Sequence, residues 1–397
     1  MKLGSLFSFK LKRGLAGRRQ SLEIVKKTFT KEDRVLWMHA ASLGEYEQGL
    51  PVLMELKEKY PTHKVLVTFF SPSGYENVVK KKTIADAICY LPFDKKCYLE
   101  PFLNSFKTDI FFTVKYDFWY TLLSELKSRK VKTYVVSAFF YENQVFYKTY
   151  GSWFTQQLKR NINWFFHQTK QSSALAKEIG LLNSSTSGDT RFDRVRQNLE
   201  RDNSVLKIED FTEGKTTVVF GSSWEAEERI AEMLYKKHPE VKLIIAPHDL
   251  KRVDYLKELF PEALLYSDIE NTNHFPEIRV LIVDCIGLLS KLYSYGNMAI
   301  VGGGFHSAGL HNILEAAVFG IPVFFGNQYK KNPEADQLIL EKGGKSFEDE
   351  FYAIKYISEV LKSPEIMDSM GRNAQQFILS QPNATDAVVK KITADFN

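Results

Sequence analysis

Short, nearly continuous apolar runs alternate with longer amphipathic stretches along this chain. The runs at 35–39 (VLWMH), 64–70 (KVLVTFF), 87–93 (AICYLPF), 109–114 (DIFFTV), 132–138 (KTYVVSA) and 163–168 (NWFFHQ) have strand length rather than helix length. They show little of the apolar–polar alternation of a half-exposed strand. Strands covered on both faces of a parallel sheet look like this. Between them the period changes: Leu50, Leu53, Met54 and Leu56 recur near helical spacing within 46–59.

The alternation stops at about 196–214, which is polar, lacks a sustained apolar period and reads as a linker. A second set then begins at 216–222 (TTVVFGS), 242–247 (KLIIAP), 280–285 (VLIVDC), 298–304 (MAIVGGG) and 321–326 (IPVFFG). The expected fold class is therefore α/β, with two doubly wound, Rossmann-like domains at 31–195 and 215–375. A basic segment, 1–30, precedes them, and a weakly helical tail, 376–397, follows. Open α/β sheets bind ligands beyond the carboxyl ends of their strands. Two such domains are expected to face each other across a cleft, so candidate chemistry belongs on the loops that leave the strands.

The chain of 397 residues is too long for one ordinary core, which agrees with two domains. With 44% hydrophobic and 25% charged residues it has the balance of a soluble globular protein. The net charge of +5 is too small for the footprint of a nucleic-acid binder. The excess gathers in residues 1–27, where Lys2, Lys10, Lys12, Arg13, Arg18, Arg19, Lys26 and Lys27 meet only Glu23. That segment is either a solvated terminus or a face for an anionic membrane. Cys89, Cys97 and Cys285 form neither a metal-binding spacing nor a disulfide framework, which fits a reducing compartment. No apolar run reaches the ~18 residues of a membrane-spanning helix, and the start lacks a signal-peptide core.

Two stretches carry candidate chemistry. In HAASLGE (39–45) the first strand runs into a loop and then a helix. Ser42 and Glu45 have the spacing of a capping box. Glu45 is equally placed to be a general base: a sugar hydroxyl is a poor nucleophile, and a carboxylate within reach would take its proton as it attacks. The second stretch joins Gly302, Gly303 and Gly304 to a helix expected to start near His311–Asn312. Glycines let backbone approach a ligand, and a helix start offers free N–H groups to an anion. Glu315, one turn in, could accept the hydroxyls of a ribose. No DxD motif is evident, and Asp94, Asp109 and Asp117 read as caps or surface acids.

The ordered motifs resemble those of the bacterial 3-deoxy-D-manno-octulosonic acid (Kdo) transferases. His39–Glu45 is similar to that family's HxxSxGE, and Val301–Gly326 to its VGGS/GF and GxHNxLEAAxxGxPV elements. LPFD (91–94), GDTRFDRV (188–195), GSSWEAEE (221–228) and IAPHDLKR (245–252) fall in family order. The resemblance implies a GT-B fold and an inverting, metal-independent transfer of Kdo from CMP-Kdo to a lipid A precursor (lipid IVA), without a cofactor. The protein would work peripherally, at the cytoplasmic face of the inner membrane. Glu45 would be the proton acceptor and Arg191 would stabilise transition-state charge. Pro247 and His248 would lie at the nucleotide, Ile286, Gly287 and Leu288 at the cytosine, and Gly303, Asn312, Ile313, Leu314 and Glu315 at the ribose and phosphate.

Several positions depart from the family pattern. Lys115 stands where relatives carry the first Glu of a Glu-x-Glu-x-Trp element, and it could pair with substrate charge or with Glu45. His248 replaces an arginine, which removes a permanent charge. The loop 305–310 lacks a common basic residue, Asn332-Pro333 replaces an aromatic position, and the start lacks the family's apolar anchor, so that it is truncated or attaches electrostatically. Lys80, Lys81 and Lys82 read as a solvated helix end or a grip on a phosphorylated lipid. The alternatives are a GT-B enzyme that uses a UDP-sugar, a nucleotide-sugar epimerase, or a homologue that binds nucleotide or lipid with altered catalysis.

Overall fold

A computed structural model describes residues 2–272, 275, 277–307, 309–330 and 332–396, with side chains from residue 13 onward. The lysines at 2, 10 and 12 therefore have no described side chains. The chain divides into two compact units, 1–194 with 382–397, and 195–381.

The first unit is a seven-stranded, wholly parallel sheet. Its strands are β1 (Arg34–Ala40), β2 (Lys64–Phe69), β3 (Ala87–Tyr90), β4 (Lys107–Val114), β5 (Lys132–Ala138), β6 (Trp164–His167) and β7 (Ser184–Thr186), in the order β3-β2-β1-β4-β5-β6-β7. Six match the apolar runs. The seventh, Ser-Ser-Thr, is a polar edge strand that hydrophobic patterning does not mark. Successive residues of β1 point to opposite faces. Val35 and Trp37 enter one core, with Phe102, Phe106 and Phe111. Leu36, Met38 and Ala40 enter the other, with Leu53, Leu56 and Val65. Leu50, Leu53 and Leu56 of the helix Leu43–Lys59 are buried as their spacing requires.

The second unit repeats the plan with β8 (Thr217–Ser223), β9 (Lys242–Pro247), β10 (Leu264–Leu265), β11 (Val280–Ile282), β12 (Met298–Val301), β13 (Val323–Gly326) and β14 (Gly344–Phe347). Their order is β10-β11-β9-β8-β12-β13-β14, again parallel. The two-residue β10 and the Gly-Lys-Ser-Phe strand β14 lack apolar runs and are silent in the sequence pattern.

Three segments differ from the sequence reading. The basic start is a helix, Lys2–Thr28. Val25 is fully buried from it, and Ser21 donates a 2.7 Å hydrogen bond to the carbonyl of Tyr90, so its later turns pack on the first unit. The stretch 196–214 is largely structured: one helix spans Thr190–Glu200 and another Ile208–Thr212, with Ile208 and Phe211 buried. The tail is split. A helix of the second unit continues to Leu379, and a last helix, Ala384–Phe396, puts Val388, Val389 and Ile392 into the first unit's core. Among the described residues, no helix is long and apolar enough to cross a membrane.

Candidate active site

In the first unit the strand order reverses beside β1, which has β2 on one side and β4 on the other. Crevices open at such reversals, beyond the carboxyl ends of the strands. The loop after β1 carries Ser42 and Glu45, and the loop after β4 carries Lys115, Tyr116 and Asp117.

Ser42 is the N-cap of the Leu43–Lys59 helix, but its side chain caps no amide. Its hydroxyl instead donates to the Glu45 carboxylate. The capping box expected from spacing is therefore absent, and the half-buried Glu45 keeps its carboxylate out of the backbone cap. Glu45 lies close enough to Tyr116 that its charge, after burial and Tyr141, helps raise the Tyr116 phenol.

A hydrogen-bond chain runs beneath this crevice. Trp37 Nε1 donates to Thr68 Oγ1 (2.8 Å), Thr68 Oγ1 lies 2.9 Å from His39 Nδ1, and His39 Nε2 lies 2.8 Å from Asp117 Oδ2. One neutral tautomer satisfies every link, with the Thr68 hydroxyl donating to Nδ1 and Nε2–H donating to the carboxylate. Burial pushes the Asp117 carboxyl up, yet the hydrogen bond and charge of His39, with the charge of Arg18, outweigh it and hold the carboxyl below its ordinary value. Asp117 is thus neither a cap nor a surface acid. Asp109 also departs from that reading, since it pairs with Arg34 and with His63 (3.0 Å). Asp94 does cap, accepting from the amides of Thr121 and Leu122.

Arg18, read from the sequence as part of a basic surface, reaches this region. Its guanidinium lies 4.7 Å from the Phe70 ring centroid and donates to the Phe70 carbonyl at 2.9 Å. Lys115 adopts φ 62°, a left-handed conformation costly for a side chain with a Cβ. Among the described residues it forms no ion pair, so of the two pairings open to it the one with Glu45 is not formed.

Arg191 is locked. Its backbone amide and guanidinium both bind Asp189, at 2.9 and 2.7 Å. Burial raises the Asp189 carboxyl, but Arg191 and Gln48 hold it below the ordinary range. Gln48 stands one turn beyond Glu45, and Thr190 Oγ1 donates to the Gln48 carbonyl at 2.6 Å. The helix that bears Glu45 is thereby tied to the segment that bears Arg191.

In the second unit the order reverses beside β8, between β9 and β12. Gly303, at φ 91°, turns the chain after β12, and its amide donates to Glu227 Oε1 at 3.1 Å. Glu227 also accepts from the Trp224 amide (3.0 Å) and is fully buried. Burial pushes its carboxyl up to about 7 against these hydrogen bonds. A Cβ on Gly302 would stand 2.0 Å from the carbonyl oxygen of Ser222, so this turn needs glycine for close backbone contact as well as for its φ.

Aromatic rings cover the turn. His248, just beyond Pro247 at the end of β9, stacks on Trp224 with centroids 4.4 Å apart. His306 meets Trp224 edge-on with ring centroids 4.3 Å apart, and the His311 centroid lies 4.7 Å from that of His248. Burial, then the neighbouring imidazoles, lowers His311 to about 4. Burial also lowers His248, against a smaller opposing effect of Asp249. His248 therefore offers stacking and hydrogen bonding at neutral pH, not a fixed charge.

The helix expected from His311–Asn312 is only Leu314–Ala317. One turn aligns few peptide dipoles, and Asn312 Oδ1 already accepts the Leu314 amide at 3.1 Å. Anion binding by a helix tip is correspondingly weakened here. Asn312 Nδ2 also donates to Glu315 at 3.0 Å, which orients that carboxylate. Ile313 and Leu314 are buried, whereas Ile286 is 75% exposed beside Gly287 and Leu288 in the loop after β11. The sequence gives no site role to His39, Asp117, Arg18, Trp224, Glu227 or His306, although His39, Trp224, Glu227 and His306 lie within the motifs named above.

Residues 16–194 match the family model of the 3-deoxy-D-manno-octulosonic-acid transferases. A 3-deoxy-D-manno-octulosonic acid transferase of Aquifex aeolicus is 28% identical over 336 residues, 82% of this chain and 86% of that protein. A bifunctional glycosyltransferase/methyltransferase of Fusobacterium nucleatum is 27% identical over 85% of this chain, which spans 53% of that longer protein. In fold, the chain is similar to the UDP-GlcNAc 2-epimerase of Neisseria meningitidis, with a TM-score of 0.62, 16% identity, and 91% and 100% of the two chains covered. With its GT-B pattern of two Rossmann-like units, a family match over residues 16–194 and these relatives over most of its length, the chain is similar to the 3-deoxy-D-manno-octulosonic acid transferases.

Proposed function

We propose that the protein transfers Kdo from CMP-Kdo to a hydroxyl of a lipid A precursor, lipid IVA, with inversion and without a metal ion or cofactor. The observation that carries this reading is the Glu45 carboxylate, placed at the strand reversal of the first unit and held by Ser42 rather than spent on a cap. The acceptor oxygen attacks the anomeric carbon while Glu45 takes its proton. The bond from that carbon to the phosphate oxygen breaks, and CMP leaves with the electron pair.

Negative charge then grows on the phosphate. Arg191, held in place by Asp189, and Lys115 supply fixed cations, which matter most where water is excluded. CMP-Kdo carries one phosphate and one carboxylate, so no diphosphate requires neutralising. In the second unit, Pro247, His248, Ile286, Gly287 and Leu288 bind the nucleotide, with Gly303, Asn312, Ile313, Leu314 and Glu315 at the ribose and phosphate. His248 and Trp224 add a stacked aromatic wall in place of the family's arginine. The helix Lys2–Thr28 keeps the enzyme at the cytoplasmic face of the inner membrane.

The test is incubation with CMP-Kdo and tetra-acylated lipid A precursor, in EDTA, read by mass spectrometry. A mass gain of one or more Kdo units is expected. Calorimetry with CMP and UDP accompanies it. Tight UDP binding with no CMP binding and no lipid product would overturn the reading.

A further inference from the structure

A groove of about 620 Å³ opens at the opposite end of the first unit's sheet, where β4 and β5 begin rather than where they end. That volume falls within the range of roughly 300–1,000 Å³ common for small-molecule sites. Lys107 lines it at the entry of β4, and Lys115 follows the exit of the same strand. Eight residues of strand separate the two ends by about 25 Å. The groove is therefore not part of the candidate active site.

Its lining is strongly one-signed. Lys31, Lys107, Arg129, Lys130 and Lys132 face one acid, Asp109. Asp109 is already engaged by Arg34 and His63. Arg129 donates to Asn104 at 2.8 Å and lies 4.0 Å from Glu125. Among the described residues, none of the four lysines has a carboxylate within ion-pair distance. A concave, low-dielectric wall concentrates the field of such a cluster and attracts anions. Two further features belong to the same place. Lys130 is held at φ 62°, a conformation that glycine adopts at lower cost. Thr108 Oγ1, also on the lining, is buried without a hydrogen-bond partner. The floor is apolar: Leu103, Phe106 and Val131 are buried beneath the cations.

We infer that this groove is a second anion site, for a phosphorylated small molecule or headgroup with an apolar portion. The phosphate oxygens pair with the lysine ammonium groups in charge-assisted hydrogen bonds, and the apolar portion lies over Phe106 and Val131. A free phosphorylated metabolite and an anionic lipid headgroup present the same chemistry.

The full chain is titrated with inorganic pyrophosphate at low ionic strength, and separately with vesicles of phosphatidylglycerol in phosphatidylcholine. Both are repeated on the double variant Lys107→Glu with Lys132→Glu, and on the milder Lys107→Gln with Lys132→Gln should the first not fold by circular dichroism. Pyrophosphate binding that weakens about tenfold or more in the variant supports a free anion as the occupant. Vesicle binding that weakens to that extent, without pyrophosphate binding, supports the headgroup. Binding of neither probe, or binding that the substitutions leave unchanged, overturns the inference.

Discussion

Gln48 Nε2 lies 3.1 Å from Asp189 Oδ1, which joins the helix that carries Glu45 to the buried carboxylate that holds Arg191. The base and the cation assigned to one reaction step thus share a mechanical support. Removing Arg191 leaves Asp189, 9% exposed, with Gln48 as its remaining side-chain partner. Stranding one member of such a pair typically costs about 3–5 kcal/mol. Arg191→Ala is expected to lower the urea midpoint as well as the transfer rate, and Arg191→Lys to restore part of the stability. The pH dependence has a definite sign. The Asp189 carboxyl is held below its ordinary value of 3.8, so its contribution is present above that value and is lost as pH falls through the lower folded value. Denaturation of the wild type between pH 5 and pH 2 would show a loss that Asp189→Asn lacks.

Glu45→Gln keeps the size of the side chain and can still accept from Ser42, but cannot take a proton. Transfer is expected to fall by about 10²–10⁴-fold. Donor affinity, measured by CMP calorimetry, and the thermal midpoint should stay within error of the wild type. A variant with full activity would remove Glu45 from the mechanism.

Glu227 makes the second unit pH-sensitive. Its carboxyl is raised from 4.5 to about 7 by burial, so the folded state binds more protons than the unfolded state between those values. Stability from this group is full below pH 4.5 and is lost as pH rises through about 7, an effect of about 3 kcal/mol at most. Glu227→Gln should flatten that slope in denaturation midpoints measured from pH 5 to pH 8. Because Glu227 also receives the Gly303 amide, CMP affinity should vary more steeply over the same window in the wild type than in the variant.

Gly303→Ala tests the turn itself. The new Cβ would lie 2.3 Å from the carbonyl oxygen of Gly309, at a backbone φ of 91°. Strain of this kind costs on the order of 1–3 kcal/mol before any clash is relieved. CMP affinity is expected to drop at least about tenfold, which corresponds to 1.4 kcal/mol, while the first unit's stability is unchanged.

The sheets were legible in the sequence wherever burial on both faces forces a continuous apolar run, as in β1 and β4. They were illegible at the edges, where β7 and β14 need fewer apolar side chains. Local spacing placed Ser42 at a helix start, but it could not tell that the hydroxyl would turn to Glu45 instead of an amide. Asp117 was read as an ordinary acid because its partner, His39, is 78 positions away. The tie of Glu227 to Gly303 is equally remote in sequence, spanning 76 positions. The 196–214 stretch appeared unstructured because its helices bury few residues each, among them Ile208 and Phe211.

The return of residues 382–396 to the first unit has a consequence for biosynthesis. Residues 1–194 leave the ribosome long before Val388, Val389 and Ile392, which sit in the core beside Leu53 and Leu56. During that interval the earlier lobe carries an uncovered oily seam, while the intervening lobe, being contiguous, can complete itself. A nascent chain stalled near residue 380 should therefore be a favoured client of chaperones, released once the closing segment emerges.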